Sequence, residues 1–254
     1  MKAVPRPFAW LTTIVVVLSS AACGPRDAPG LPAGAAQAAP QAKAEHPAAA
    51  VHAGPRIVFL GDSLTAGLGL PVSAAYPSLL QERLNEAGLN FQVMNAGVSG
   101  DTSADALSRL DWALEGDVRV LIVALGGNDG LRGLPAEQLR DNLAAIIERA
   151  QTRGITVVLA GMEAPPNYGR DYIVSFHKVY PALAATYHLA LIPFLLQNVA
   201  GIEALNQRDG IHPTAAGARI VADNVWAVLK PLAERATSAG SLREKAGERG
   251  HSGS

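Results

Sequence analysis

Arg56-Ile57-Val58-Phe59-Leu60-Gly61-Asp62-Ser63-Leu64-Thr65 is the stretch on which the reading of this chain turns. Its first half is a short β-prone run that closes on a glycine. Its second half changes abruptly to a polar turn with a hydroxyl at Ser63. A helical spacing of Leu79, Leu80, Leu84 and Ala87 follows within Tyr76–Ala87 and ends at Gly88. Outward from there the alternation continues. Strands are predicted at Phe91–Asn95, Val118–Leu125, Ile155–Ala160 and Leu189–Ile192. Helices are predicted at Thr102–Leu114, Pro135–Arg153, Tyr172–Tyr187 and Ala215–Leu232. The run Val118–Leu125 is almost wholly apolar, as expected of a strand covered on both faces. Strands alternating with helices of this length imply a single α/β domain with a parallel sheet between two helical layers. Ligands of such sheets bind beyond the carboxyl ends of the strands. The loops after Leu60, Asn95, Leu125, Ala160 and Ile192 are therefore expected on one rim.

Unusual polar residues gather on those loops. Besides Gly61-Asp62-Ser63-Leu64-Thr65 there are Asn95-Ala96-Gly97-Val98-Ser99-Gly100, Gly126-Gly127-Asn128-Asp129 and, before the last helix, Asp209-Gly210-Ile211-His212-Pro213. A serine hydroxyl is a weak nucleophile until a neighbouring base takes its proton. Histidine suits that task, and an acid can hold its tautomer and stabilise the imidazolium. Ser63, His212 and Asp209 supply these roles, and the three-residue spacing of Asp209 and His212 lets one turn present both. The oxyanion that forms needs donors. The N–H of Ser63, the N–H of Gly97 after a strand, and the amide of Asn128 are the candidates. Asp62 and Asp129 read as braces of their loops. Tyr168, Tyr172 and Phe176 could line an acyl or aryl pocket or pack in the core. His177 and His188 read as surface or packing residues, and His46, His52 and His251 as solvated.

These blocks, in this order, resemble the SGNH/GDSL hydrolase family over about 56–235. Gly126-Gly127-Asn128-Asp129-Gly130-Leu131-Arg132-Gly133 and Pro165-Pro166-Asn167-Tyr168-Gly169 are similar to its thioesterase I/lysophospholipase L1/arylesterase branch. The resemblance implies a flavodoxin-like α/β/α fold and a serine esterase or thioesterase acting on small ester, thioester or lipid substrates. It also implies Ser63 as nucleophile, Gly97 and Asn128 in the oxyanion hole, and Asp209 and His212 completing the triad. Within the family the rival reading is a carbohydrate or peptidoglycan O-acetylesterase. From another class, it is an envelope binding module that has lost activity. The α/β-hydrolase elbow, Gly-x-Ser-x-Gly in mid-domain, does not fit, because Thr65 stands at its fifth position.

Composition narrows the rest. The chain has 254 residues, is 49% hydrophobic and 17% charged, and carries a formal net charge of −1, so it has no basic footprint for nucleic acid. It lacks a His-Glu-x-x-His, a cysteine cluster and a Walker Gly-Lys-Ser/Thr. Gly67-Leu68-Gly69 lacks the third glycine of a dinucleotide fingerprint. No cofactor or metal is called for. At the N-terminus, Lys2 and Arg6 precede the apolar run Phe8–Leu18 and the small residues Ser19–Ala22, as in a signal peptide covering 1–22. A permanent membrane span is the competing reading, but the apolar run is short for one. Cys23 is the only cysteine, and its place resembles the acylation site of a bacterial lipoprotein, which would attach the protein to a membrane. Ser20 stands where that pattern usually has an aliphatic residue, so ordinary signal cleavage and a soluble periplasmic or secreted product is the alternative. Residues 23–54, rich in Ala and Pro, read as a disordered tether, 55–236 as the hydrolase domain, and 237–254 as a disordered tail.

Overall fold

A computed structural model describes residues 54–251. The expected signal peptide, Cys23 and all of the tether except Gly54 lie outside the described residues. The strands are β1 (Arg56–Gly61), β2 (Gln92–Gly97), β3 (Val118–Ala124), β4 (Thr156–Ala160) and β5 (Ala190–Ile192). All pair in parallel in the order β2-β1-β3-β4-β5, the doubly wound order of flavodoxin-like folds. Ile57 through Leu60 and Val120 through Leu125 are buried residue by residue. Such runs require cover on both faces of the sheet, which the helices provide.

Those helices are α1 (Ser63–Ala66), α2 (Tyr76–Glu86), α3 (Ser103–Ser108), α4 (Leu110–Ala113), α5 (Gly127–Leu131), α6 (Ala136–Thr152), α7 (Arg170–Tyr187) and α8 (Ala215–His251). They form two groups, α2 with α8 and α3 with α6 and α7, consistent with a layer on each side of the sheet. On α6 the buried side chains Leu139, Leu143, Ile146, Ile147 and Ala150 recur every three or four residues, which is one helical face turned to the core.

Two differences from the sequence reading have physical causes. The single helix predicted over Thr102–Leu114 is broken at Arg109, whose backbone (φ −106°, ψ 10°) leaves the helical region. Its guanidinium is held by Asp101 and the Gly61 carbonyl. The last helix does not stop at Leu232 but runs through the expected boundary at 236 to His251. Ala, Glu, Lys and Arg, all good helix formers, are frequent beyond that point.

Register positions the site. Gly61 pairs with Gly97 on one side and with Ala124 on the other, so three polar loops start level with one another. Glycine is required at both paired positions by close approach. A Cβ on Gly61 would stand 2.0 Å from Thr65 Oγ1, and one on Gly97 would stand 2.4 Å from the Ala66 backbone nitrogen.

Candidate active site

Ser63 opens α1 at the turn after β1, and Asp62 caps that helix by accepting from the Leu64 N–H at 3.0 Å. From the other end of the chain, the segment before α8 brings His212 to it. His212 Nε2 lies 2.8 Å from Ser63 Oγ, and His212 Nδ1 lies 2.8 Å from Asp209 Oδ2. Asp209 Oδ1 accepts from the backbone N–H groups of Ile211 and His212 at 2.9 and 3.0 Å. Those two backbone donors, with the imidazole N–H, hold the Asp209 carboxyl down to about 2. An ionised carboxylate can only accept, so Nδ1 carries a proton, and in the neutral imidazole Nε2 is then the acceptor facing the serine hydroxyl. The three sequence candidates are thus joined in one hydrogen-bonded line, His212 half-buried and Asp209 exposed.

The donor side needs one correction. Gly97 N–H donates to Asn95 Oδ1 at 3.0 Å, so it is engaged within its own strand end rather than presented to a substrate. Its missing side chain serves the packing against α1 described above. Three residues on, Gly100 has φ +90°, a conformation that glycine adopts without strain. Its N–H has no hydrogen-bond partner among the described residues, and its carbonyl is fixed by Arg132 Nη2 at 2.8 Å. The adjoining Asp101 carbonyl accepts from Asn128 Nδ2 at 2.9 Å, so Gly100 lies one residue from the amide of Asn128. That contact uses one of the two amide hydrogens and leaves the other available. Sequence reasoning passed over Gly100 in favour of the glycine nearer the strand. The available signal was its place in a Ser-Gly pair beyond the strand end, where a left-handed turn residue belongs.

Asp62 and Asp129 are braces, as expected. Asp129 is buried and accepts from Ser103 N–H at 2.9 Å and Ser103 Oγ–H at 2.6 Å, and Ser103 Oγ in turn accepts from Asn142 Nδ2 at 2.9 Å. Asp62 is only 2% exposed, and loss of hydration pushes its carboxyl up to about 6 despite the Leu64 N–H and nearby His212. His177 is exposed and pairs with Glu163, and exposed His188 ends α7 in a left-handed conformation.

An open groove of about 380 Å³ is lined by Leu64, Gly127, Leu131, Met162, Ala164, Pro165, Pro166 and Ile211 among others. Its lining is mostly apolar, as in sites that bury a ligand's hydrocarbon part. Tyr168, Tyr172 and Phe176 do not line it. They stack with Tyr180 at ring separations of 5.4 to 5.9 Å along one face of α7 and the turn before it.

Residues 59–220 match the GDSL-like lipase/acylhydrolase family. Esterase TesA of Pseudomonas aeruginosa is 46% identical over 177 residues, 69% of this chain and 88% of that protein. The crystal structure of TesA superposes with a TM-score of 0.67, covering 70% of this chain and 99% of that one. The arylesterase of Vibrio mimicus is 39% identical over 65% of this chain and 83% of its own length. Thioesterase 1/protease 1/lysophospholipase L1 of Escherichia coli K12 is 37% identical over 69% of this chain and 84% of its own.

Proposed function

Because the chain belongs to the GDSL-like lipase/acylhydrolase family, we propose that it hydrolyses carboxylic esters and thioesters of apolar acyl groups through an acyl-enzyme on Ser63. The observation that carries this is the Asp209–His212–Ser63 line, with both links at 2.8 Å, beside an apolar groove lined by their chain neighbours Leu64, Gly210 and Ile211. Ser63 Oγ attacks the carbonyl carbon as His212 Nε2 takes its proton. The tetrahedral oxyanion lies among the N–H groups of Ser63 and Gly100 and the second amide hydrogen of Asn128. As this adduct collapses, the bond to the alcohol oxygen or thiol sulfur breaks and His212 returns the proton to the departing group. Water then attacks the acyl-enzyme, giving its proton to His212, and the carboxylic acid leaves as Ser63 is reprotonated. The relatives named as an esterase, an arylesterase and a thioesterase support this range of leaving groups.

Hydrolysis of p-nitrophenyl esters from acetate to palmitate by wild type and Ser63→Ala tests this reading. Wild type is expected to prefer acyl chains longer than acetyl, and Ser63→Ala to lose activity by at least about a thousandfold. Equal activity in both proteins would defeat it. A strict preference for acetate would move the assignment to an O-acetylesterase.

The N-terminal pattern supports export, with residues 1–22 removed and the mature chain held at a bacterial envelope membrane by acylation of Cys23. The tether would then keep the catalytic domain, 55–236, clear of the membrane surface. Mass spectrometry of the mature N-terminus is expected to find Cys23 first and acylated. An unmodified start at or beyond Cys23 rules out the anchor.

A further inference from the structure

An oxyanion is bound only if donors from three separate loops stay in one place. Ser63 follows β1, Gly100 follows β2 and Asn128 follows β3. Backbone pairing ends at Gly61, Gly97 and Ala124, so beyond these residues another device must set the spacing. One ion pair stands at that point. Arg109 Nε donates to Asp101 Oδ2 at 2.7 Å, and Arg109 Nη2 donates to the Gly61 carbonyl at 3.1 Å. The Gly61 carbonyl also accepts the Val98 N–H at 3.1 Å. The Asp101 carbonyl accepts Asn128 Nδ2 at 2.9 Å. Arg109 and Asp101 therefore join the residue before Asp62, the Gly100 turn and the Asn128 amide.

The two side chains are 18% and 12% exposed, unlike the open surface pairs that salt screens and water competes for. Only a guanidinium fork can serve a carboxylate and a carbonyl at once with this rigidity. Arg109 stands at the break between α3 and α4.

We infer that the Asp101–Arg109 pair is the positioning device of the oxyanion hole, fixing the three donors relative to one another without touching substrate. The inference rests on the serine-esterase reading above. Displacement of a catalytic group by about 1 Å can cost a hundredfold in rate, so the device acts on turnover rather than on ground-state binding.

The test uses the full-length protein and p-nitrophenyl butyrate, with Arg109→Lys, Arg109→Met, Asp101→Ala and the double variant Asp101→Ala/Arg109→Met. The double variant leaves no partly buried charge unpaired, so turnover stays measurable should a single variant unfold. kcat is expected to fall roughly 10- to 100-fold, with KM within about threefold of wild type. The inhibition constant of an alkylboronic acid, which forms a tetrahedral adduct on serine, is expected to rise by the factor that kcat falls. The double variant should lose no more than either single one, since the two residues act as a unit. Arg109→Lys should recover the melting temperature but not kcat. The pH of half-maximal kcat/KM should stay that of wild type, because Asp209 and His212 are untouched. Unchanged kcat in variants that melt like wild type overturns the inference. So does a loss confined to KM, or a moved pH profile, which would place the effect on His212. Ser63→Ala, run in parallel, separates the two levels. Full activity there defeats the underlying esterase reading and the inference with it. Abolished activity there with intact kcat in the pair variants defeats only the inference.

Discussion

Asp62 and Asp209 are the same residue type within one site, yet their surroundings drive them in opposite directions. Asp209 is exposed and collects three N–H donors, which keep it ionised far into acid. Its contribution to stability is present above its unfolded value of 3.8 and disappears only as pH falls through about 2. Asp62 is buried, and loss of hydration outweighs the backbone N–H groups of Leu64 and of Asp62 itself, so that its folded value is raised from 3.8 to about 6. Between those values the folded state binds more protons than the unfolded one, so this residue lowers stability as pH rises from 4 to 6. The shift corresponds to about 3 kcal/mol of destabilisation at neutral pH. Asp62→Asn keeps an oxygen for the Leu64 N–H and removes the charge. Urea unfolding at pH 4 and pH 7 is expected to show the variant gaining roughly 2 kcal/mol on wild type between the two. A difference independent of pH would sink the idea. The Ser63–His212–Asp209 line was legible from sequence because Asp209 and His212 are close in the chain and chemically distinctive. Gly100 was not, because whether a glycine N–H is engaged depends on the strand end beside it, here Asn95.

At the scale of elements, the strands and the helices α2, α6 and α7 followed the sequence pattern closely, while α1 and α5 escaped it. Helices of four and five residues have too few positions to show a period. They exist because Asp62 caps one and because the other is framed by the rim loops and braced through Asp129. Helix α7 and the turn before it do more than cover the sheet. Tyr168 and Tyr172 donate to the carbonyls of Leu131 and Leu134, and Tyr180 donates to that of Leu125, so phenols clamp the segment carrying Asn128. The Tyr180 contact is wholly buried, and Gly126 lies so close that a Cβ there would meet the hydroxyl at 2.1 Å. Tyr180→Phe leaves the Leu125 carbonyl without that donor and is expected to cost roughly 1–3 kcal/mol, read as a lowered urea midpoint with an unchanged slope. An unchanged midpoint would show that the clamp contributes nothing.

For the whole molecule, the order β2-β1-β3-β4-β5 sends the chain to opposite sides of β1, and the crevice left there receives Ser63. The groove draws on loops after β1, β3, β4 and β5, so its width belongs to the assembled sheet and not to any one segment. Filling it should change selectivity without touching the chemistry. Ala164→Trp is expected to cut kcat/KM for p-nitrophenyl esters of eight or more carbons at least about tenfold. Activity on acetate should stay near wild type. Equal loss across the series would mean that acyl chains lie elsewhere. The amino-acid sequence by itself determined the α/β class and the parallel sheet, and it singled out Ser63, Asp209 and His212, which the fold joins in one hydrogen-bonded line. Apolar periodicity and residue chemistry are local properties written along the chain. Only the tertiary structure decided that Gly97 packs while the Gly100 N–H finds no partner among the described residues, that Arg109 at a helix break binds Asp101 and Gly61, and where the groove runs. Each of these depends on contacts between loops far apart in sequence, whose separation is set by strand register and packing.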